Sequence, residues 1–473
     1  MKFLEILNKV VKYVAFFVDN LEPTTFYAYM SLTNGSKKIV TIESKYFNDF
    51  LFQKSVDEDE DGNGLNPQKA IKYIRSYLEN ENRPPEIEVF KRVSGDLKKG
   101  LEYDLINIAG DSVKISDTGW KISPKKRKFI SMSLSVKQVE PVETTKSLEE
   151  LLRPFVHLTK EDFKLFMVWL VQCFSTGNHF ALLLMAERGS GKSTLTKLIK
   201  KIVDPDSIEI CAKPSKLEDL CVFLGNTYMS CFDNVGNLTK DESDLLCGAI
   251  TSTASVKRAL FTDNELKTMK LQNVIVMNGV QTIPEESDLA ERFLVLNLKK
   301  LKGAELRTER EFWDDFEAAR PEILGAIFDV LSKAMKLFPK ASTAVGGHRM
   351  ADAFTEMLVI AEALGIPEEE FRTLISDNVS RMNEIRGDTP LVEAIKEYVN
   401  RPYAKTKESG YVSEIYTAVK ANYSGNKSQL PNSASAFSKK VKLERDTLEK
   451  AGITVNFDSS GSKGTWVDII KKN

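Results

Sequence analysis

The residues with the clearest chemistry lie in "AERGSGKST", Ala186 to Thr194. In a phosphate-binding loop, glycines let backbone N–H groups turn inward around phosphates, a lysine neutralises the outer ones and a hydroxyl holds magnesium. Gly189 and Gly191 would permit the turn, Lys192 would take the phosphate and Ser193 the magnesium, with Glu187, Arg188, Ser190 and Thr194 completing the ATP cradle. The full pattern GxxxxGK[ST] places glycine first, where this chain has Ala186, the smallest alternative. A helix beginning near Gly191 adds its N-terminal dipole to the anion site.

Such a loop works with an acid at the end of another buried strand, and "YMSCFDNVG" supplies Asp233, a second magnesium ligand. Asn234 follows, where a glutamate would serve as general base; asparagine can orient water but takes no proton from it. The next strand ends "IVMNG", so Asn278 is either a sensor of the terminal phosphate or part of an Asn-Gly turn. "ESDLAERFLVLNL" puts Arg292 just before the last strand, at the place of an arginine finger reaching a neighbouring subunit; a solvated arginine is the plainer reading. Between these, "VKRALF" and "MKLQNVIV" flank a polar tip, a hairpin whose Lys257, Arg258 and Lys267 either touch a nucleic-acid backbone or are merely solvated.

These residues need strands and helices to hold them. Continuous apolar runs at 180–185, "IEICA", "TYMSCFD", "LQNVIVMN" and "RFLVLNL", separated by helical stretches, predict a mostly parallel sheet covered on both faces over 145–303. Before it, residues 1–140 read as an α+β domain in which "GLEYDLINIAGDSVKISDTGWKI" forms a small antiparallel sheet. Residues 304–388 read as a helical extension. In 389–473, three helical stretches lead to "ITVNF", a glycine-serine turn and "TWVDII", the order of a winged helix. This segment holds 14 Lys and Arg against 9 Asp and Glu in a chain of net charge -1. Lys439, Lys440, Lys442 and Arg445 crowd its third helix and Lys463 its hairpin tip, where a winged helix meets duplex DNA, unless it binds protein.

Composition sets the outer limits. A chain of 473 residues forms two to four domains, and 42% hydrophobic with 28% charged residues is the balance of a soluble globular protein. Five cysteines without a CxxC pair and only three histidines argue for buried reduced thiols and a cytoplasmic protein, not a zinc or disulfide framework. The N-terminus is interrupted by Glu5, Asn8, Lys9 and Lys12, an amphipathic helix and not a signal peptide, and no run approaches the ~18 apolar residues of a membrane span. "VDEDEDGNGLNP" imitates the first half of a calcium loop through Asp57, Asp59, Asp61 and Gly62, but Gln68 stands where a bidentate Glu is required, so a solvated acidic loop is expected. "KKRK", Lys125 to Lys128, is a basic turn, either solvated or a phosphate-binding patch.

The order of loop, "FDN", hairpin, "NG" and "DLAERF", with "FWDDFEAARPEILGAIFDVL" from Phe312, resembles the AAA+ ATPases of helicase superfamily III and their MCM-like relatives, and more narrowly the self-loading replicative helicases of prophages and mobile genomic islands. The resemblance covers about 150–365. It implies an AAA+ P-loop domain between an α+β N-terminal domain and a C-terminal winged helix. It further implies a ring, hexameric in its relatives, with ATP and Mg2+ between subunits, Arg292 acting in trans and pore hairpins gripping one DNA strand. Asp-Asn at 233–234 belongs to the same pattern. The expected function is an ATP-dependent DNA helicase initiating replication of a phage or mobile element; the alternatives are an AAA+ nucleotide switch without translocation and a DNA-binding regulator that binds ATP.

Overall fold

Lys2–Val11 (α1) is helical because Ile6, Leu7 and Val10 recur on one face and bury there, leaving Glu5 and Asn8 outside. It packs with an antiparallel sheet of three strands in sequence order, β1 (Val14–Asp19), β2 (Glu22–Ser31) and β3 (Lys37–Thr41). Two capped helices follow, α2 (Lys45–Glu58) started by Ser44 and α3 (Pro67–Asn80) started by Asn66 with proline in its first turn. The acidic loop between them is solvated as expected, with Asp57, Glu60 and Asp61 exposed, and Lys2 pairs with Asp61 and with the buried Asp59. The computed structural model describes residues 2–20, 22–32, 37–186, 189–252, 254–258, 266–279, 287–300, 307–341, 350–386, 388–458 and 465–471. They divide into two units, Met1–Met382 and Asn383–Asn473.

After β4 (Val89–Phe90), the expected small sheet forms as an antiparallel meander, β5 (Val93–Asp96), β6 (Gly100–Asp104), β7 (Asp111–Ser116) and β8 (Gly119–Pro124). The β5–β6 turn requires Gly95, whose φ is 87° and whose place a Cβ would fill 2.0 Å from the Gly100 carbonyl oxygen. The short β9 (Lys128–Phe129) then runs parallel to β4.

The parallel-sheet core begins with α4 (Leu148–Leu152), started by a Ser147/Glu150 capping box, and α5 (Lys160–Gln172), capped by Thr159. It continues through β10 (Ala181–Met185), α6 (Lys192–Val203), β11 (Cys211–Ala212), α7 (Leu217–Gly225), β12 (Met229–Asp233) and α8 (Lys240–Ile250). A two-stranded antiparallel hairpin, β13 (Ala254–Arg258) with β14 (Leu266–Lys270), precedes β15 (Val274–Gly279), α9 (Ser287–Ala290) and β16 (Phe293–Asn297). The sheet is parallel throughout, in the order β11-β12-β15-β10-β16. The strand expected at "IEICA" shrinks to Cys211–Ala212, paired only with Phe232–Asp233 at the sheet margin, and Ile208 is left 44% exposed.

Three helices complete this unit, α10 (Glu309–Ala341), α11 (Ala351–Ala363) and α12 (Glu368–Arg386). The connecting segment before α4 lies directly on α10. Val142 N–H donates to the Pro321 carbonyl at 3.0 Å, and a Cβ on Gly325 would stand 1.9 Å from the Val142 oxygen. Thr144 adds a hydroxyl bond to Glu322. On α12, the Asn378 amide bonds both backbone groups of Val295 in β16, at 3.0 and 2.7 Å, and Arg381 pairs with the buried Asp162 of α5 at 2.7 Å.

A buried charge network joins the meander to the far end of α6. Arg92, wholly buried, donates from Nε to Asp204 at 2.8 Å and from its terminal nitrogens to the carbonyls of Asp104, Val136 and Pro205. Lys200 reaches Asp204 at 2.8 Å, Asp206 at 2.5 Å and the Met229 carbonyl at 2.8 Å. Burial pushes the Asp204 carboxyl up, but Lys200 and Arg92 outweigh it and hold its pKa at about 2.

The second unit consists of α13 (Pro390–Asn400), β17 (Lys407–Tyr411), α14 (Val412–Asn422), α15 (Ala434–Leu443), α16 (Arg445–Lys450), β18 (Ile453–Asp458) and β19 (Trp466–Lys471). Its sheet is antiparallel, ordered β17-β19-β18, over a core that includes Leu391, Ile395, Phe437, Val441, Leu448 and Val467. The single third helix expected over "SASAFSKKVKLERDTLEKAG" is broken at Glu444, whose ψ of 12° ends α15 and starts α16. Among the described residues no helix is long and apolar enough to cross a membrane.

Candidate functional site

The turn between β10 and α6 is built on two glycines with left-handed φ, 78° at Gly189 and 79° at Gly191. Other residues pay a steric penalty in that region, so the pair fixes the loop's path. A Cβ on Gly189 would meet nothing within 4 Å, so backbone direction and not crowding demands glycine there. Gly191 is the N-cap of α6 and contributes no side-chain cap. Ser190 is buried, Thr194 sits in the first turn of α6, and Glu187 and Arg188 lie outside the described residues.

Lys192 opens α6 and its Nζ donates to the Ala186 carbonyl at 2.5 Å. That contact uses backbone alone, which any residue at the first loop position supplies, so the missing glycine costs nothing there. Burial lowers the Lys192 pKa, with Asp233 opposing the shift. The Ser193 hydroxyl donates to the Asp233 carboxylate, at 3.2 Å from Oδ1 and 3.4 Å from Oδ2. Hydroxyl and carboxylate oxygens side by side are hard donors of the type magnesium selects.

The strand ends are locked to one another through Asn278. Wholly buried, it accepts from Asn234 N–H at 3.1 Å and donates to the Thr196 hydroxyl at 3.1 Å, which in turn donates to the Lys192 carbonyl at 2.9 Å. Its own carbonyl takes Val235 N–H at 3.0 Å. Both ends of the Asn278 amide are thus committed within the protein, and the residue ties β12 and β15 to α6. Asn234 has a φ of 51°, left-handed, where asparagine is tolerated better than glutamate. The backbone therefore gives a physical reason for the residue that sequence reasoning found awkward.

Arg292 precedes β16 as expected but folds back on its own chain, pairing with Asp288 at 2.9 Å and donating to the Asp288 carbonyl. It is 9% exposed. Lys257 and Lys267 stand opposite each other in the β13–β14 register, with Arg258 beside them opposite Leu266. Lys439, Lys440 and Lys442 share α15; Lys442 lies over the Phe457 ring at 4.9 Å, joining the helix to β18. Arg445 belongs to α16 and pairs with Glu449 at 3.1 Å, so its charge is partly answered locally. Lys463 lies outside the described residues. Sequence reasoning missed Thr196, the hydroxyl that links loop helix to Asn278, because a threonine inside a helix carries no signal of its own.

Residues 148–372 match the family described as actinomycete integrative conjugative element replication protein. The matched span contains the glycine loop, both strand ends and Arg292, and supports a replication protein of a mobile element. No curated protein matches the chain. Among solved structures, it is similar to an A-form apo structure of the NrS-1 C-terminal region, at 14% identity over 99% of both chains with a TM-score of 0.40. A second A-form structure, of residues 305–718 of that protein, gives 13% identity over 100% of this chain and 99% of the other, with a TM-score of 0.43. Overlap of that kind is too loose to assign a function.

Proposed function

We propose that the chain is an ATP-driven DNA helicase of the AAA+ class, initiating replication of a mobile element, with a winged helix at its C-terminus. The observation that carries this reading is the Ser193–Asp233 contact at 3.2 Å beside a loop with two left-handed glycines. β12, β15 and the loop strand β10 are parallel neighbours, so Asp233, Asn278 and the loop all emerge at their C-terminal ends. Lys192 and the N–H groups of the loop would hold the phosphates, and Ser193 with Asp233 would hold Mg2+; together ATP and the metal supply the hydrolysable phosphoanhydride and its charge neutralisation. Asn278 is a positioning residue that keeps Asp233 and Asn234 aimed at the loop. Arg292 would act in a neighbouring subunit of a ring once its pair with Asp288 opens. The β13–β14 hairpin would contact one DNA strand, and α15 with the following hairpin would meet duplex DNA.

The test is ATP hydrolysis with and without single-stranded DNA, alongside strand displacement on a fork. The expected result is DNA-stimulated hydrolysis and unwinding, both abolished by Lys192→Ala. Unwinding that persists in Lys192→Ala sinks the mechanism, and hydrolysis indifferent to DNA without unwinding identifies a nucleotide switch.

A further inference from the structure

The basic turn at Lys125–Lys128 has no part in the function proposed above, yet it is built with care. Lys125 pairs with Asp104 at 2.7 Å, but the next three cations are presented differently. The Glu102 carboxylate, 5% exposed, accepts the backbone N–H of Lys126 at 2.8 Å and of Arg127 at 3.2 Å, and the Ser112 hydroxyl at 2.6 Å. An acid close enough to neutralise the turn is thereby engaged with its backbone, inside the protein, while the side chains of Lys126 and Arg127 stand exposed.

A second basic segment is stitched beside the first. Ser131 N–H donates to the Ile39 carbonyl at 2.6 Å, and the Ser131 hydroxyl accepts from Ile39 N–H at 3.4 Å, which sets β3 against the strand that follows the turn. Lys128 lies 4.3 Å from the Tyr29 ring centroid and Lys37 approaches the same ring at 5.8 Å; Lys38 sits 4.0 Å from the Tyr46 ring. The aromatic rings carry ammonium groups on their faces. Among the described residues none of Lys37, Lys38, Lys126, Arg127 and Lys128 has a carboxylate within ion-pair distance, and the neighbouring Glu43 is held by Arg75. Lys126, Arg127, Lys128 and Lys37 lie together without an ion-pair partner and repel one another, an arrangement that a regularly spaced polyanion relieves; Lys38, next along β3, faces the other side of the sheet.

We infer that this face of the N-terminal region, Lys126–Lys128 with Lys37, binds the phosphate backbone of DNA without reading its bases. The inference rests on the DNA-handling reading for the identity of the polyanion and is independent of ATP hydrolysis. Each phosphate contact contributes about 0.9 to the log–log salt slope on duplex DNA and about 0.7 on a single strand.

The experiment is nucleotide-free binding of the full chain to fluorescent duplex and single-stranded DNA across a salt series. The variant Lys126→Gln/Arg127→Gln/Lys128→Gln is expected to flatten the slope by about 2–3 on duplex and about 2 on a single strand, and to weaken binding about tenfold or more at 0.1 M salt. The charge-keeping variant Lys126→Arg/Arg127→Lys/Lys128→Arg is expected to bind as the wild type does. Should the neutral turn fail to fold, Lys37→Gln on β3 carries the test, with an expected slope loss of about 1 on duplex DNA, while Lys38→Gln on the opposite face is expected to bind as the wild type does. Wild-type affinity and slope in a folded neutral variant overturn the inference and leave the helicase reading standing. A wild-type chain that binds no DNA overturns both.

Discussion

Replacing Arg92 by methionine tests whether the meander and the end of α6 are held together by charge. The guanidinium serves four acceptors, the Asp204 carboxylate and the carbonyls of Asp104, Val136 and Pro205. Removing one member of a buried ion pair costs about 3–5 kcal/mol, and each buried carbonyl left without a donor adds about 1 kcal/mol or more. Lys200 remains on Asp204, so that carboxylate is not stranded, which keeps the total to about 4–6 kcal/mol. Against the roughly 5–15 kcal/mol that holds a domain folded, this is most of the margin. Arg92→Lys keeps the charge but not the planar fork and should lose about half as much. Urea unfolding followed by tryptophan emission reads the effect, because Trp120, Trp169 and Trp313 lie in the first unit and Trp466 in the second. In a Trp466→Phe background the first unit is observed alone. An unfolding free energy for Arg92→Met within about 1 kcal/mol of wild type would refute the reasoning, since buried pairs lose more than that when broken.

Three further outcomes are expected. Gly325→Ala should destabilise the first unit by about 3 kcal/mol or force the 140–146 segment off α10, because the new Cβ would meet the Val142 oxygen at 1.9 Å; thermal melting measures the first and protease sensitivity near Val142 the second. His179 is buried with Nε2 against the carbonyls of Ser175 and Gln172, and burial, against the pull of those carbonyls, lowers its pKa from 6.5 to about 4. Its stabilising contribution is therefore complete above pH 6.5 and is lost as pH falls toward 4, amounting to about 2 kcal/mol at pH 5; His179→Gln should remove that part of the slope between pH 7 and 5 in urea titrations. Asn278→Ala should lower ATP turnover about tenfold or more with nucleotide affinity little changed, if it positions Asp233 and Asn234 and does not touch phosphate; an affinity loss matching the rate loss contradicts that role.

The sequence made the loop legible because its signal is local: two glycines, a lysine and a serine between a buried strand and an amphipathic helix. The parallel sheet was equally readable from four of its five strands, whose apolar runs need no partner to be recognised. What escaped was contact between distant residues. Arg92 and Asp204 stand 112 positions apart, and nothing near either one announces the other. The "ARPEILGA" run was visible as a helix, but only the docked Val142 explains why glycine occurs in its middle. Arg292 was placed correctly at the start of a strand, whereas its pairing with Asp288 depends on the short α9 turning it inward. The third helix of the second unit reads as continuous since propensity carries through Glu444, where the backbone instead leaves helical geometry between α15 and α16.

The amide of Asn378 on Val295 has a consequence for how copies of this chain meet. A sheet margin normally offers a row of open backbone groups to any passing strand. Here one margin, β16, is occupied by a helix side chain that mimics a neighbouring strand at its centre, and the opposite margin, β11, is only two residues long. Neither side offers a template long enough for strand exchange between molecules. Any assembly of copies would therefore use side-chain surfaces and leave the sheet itself untouched.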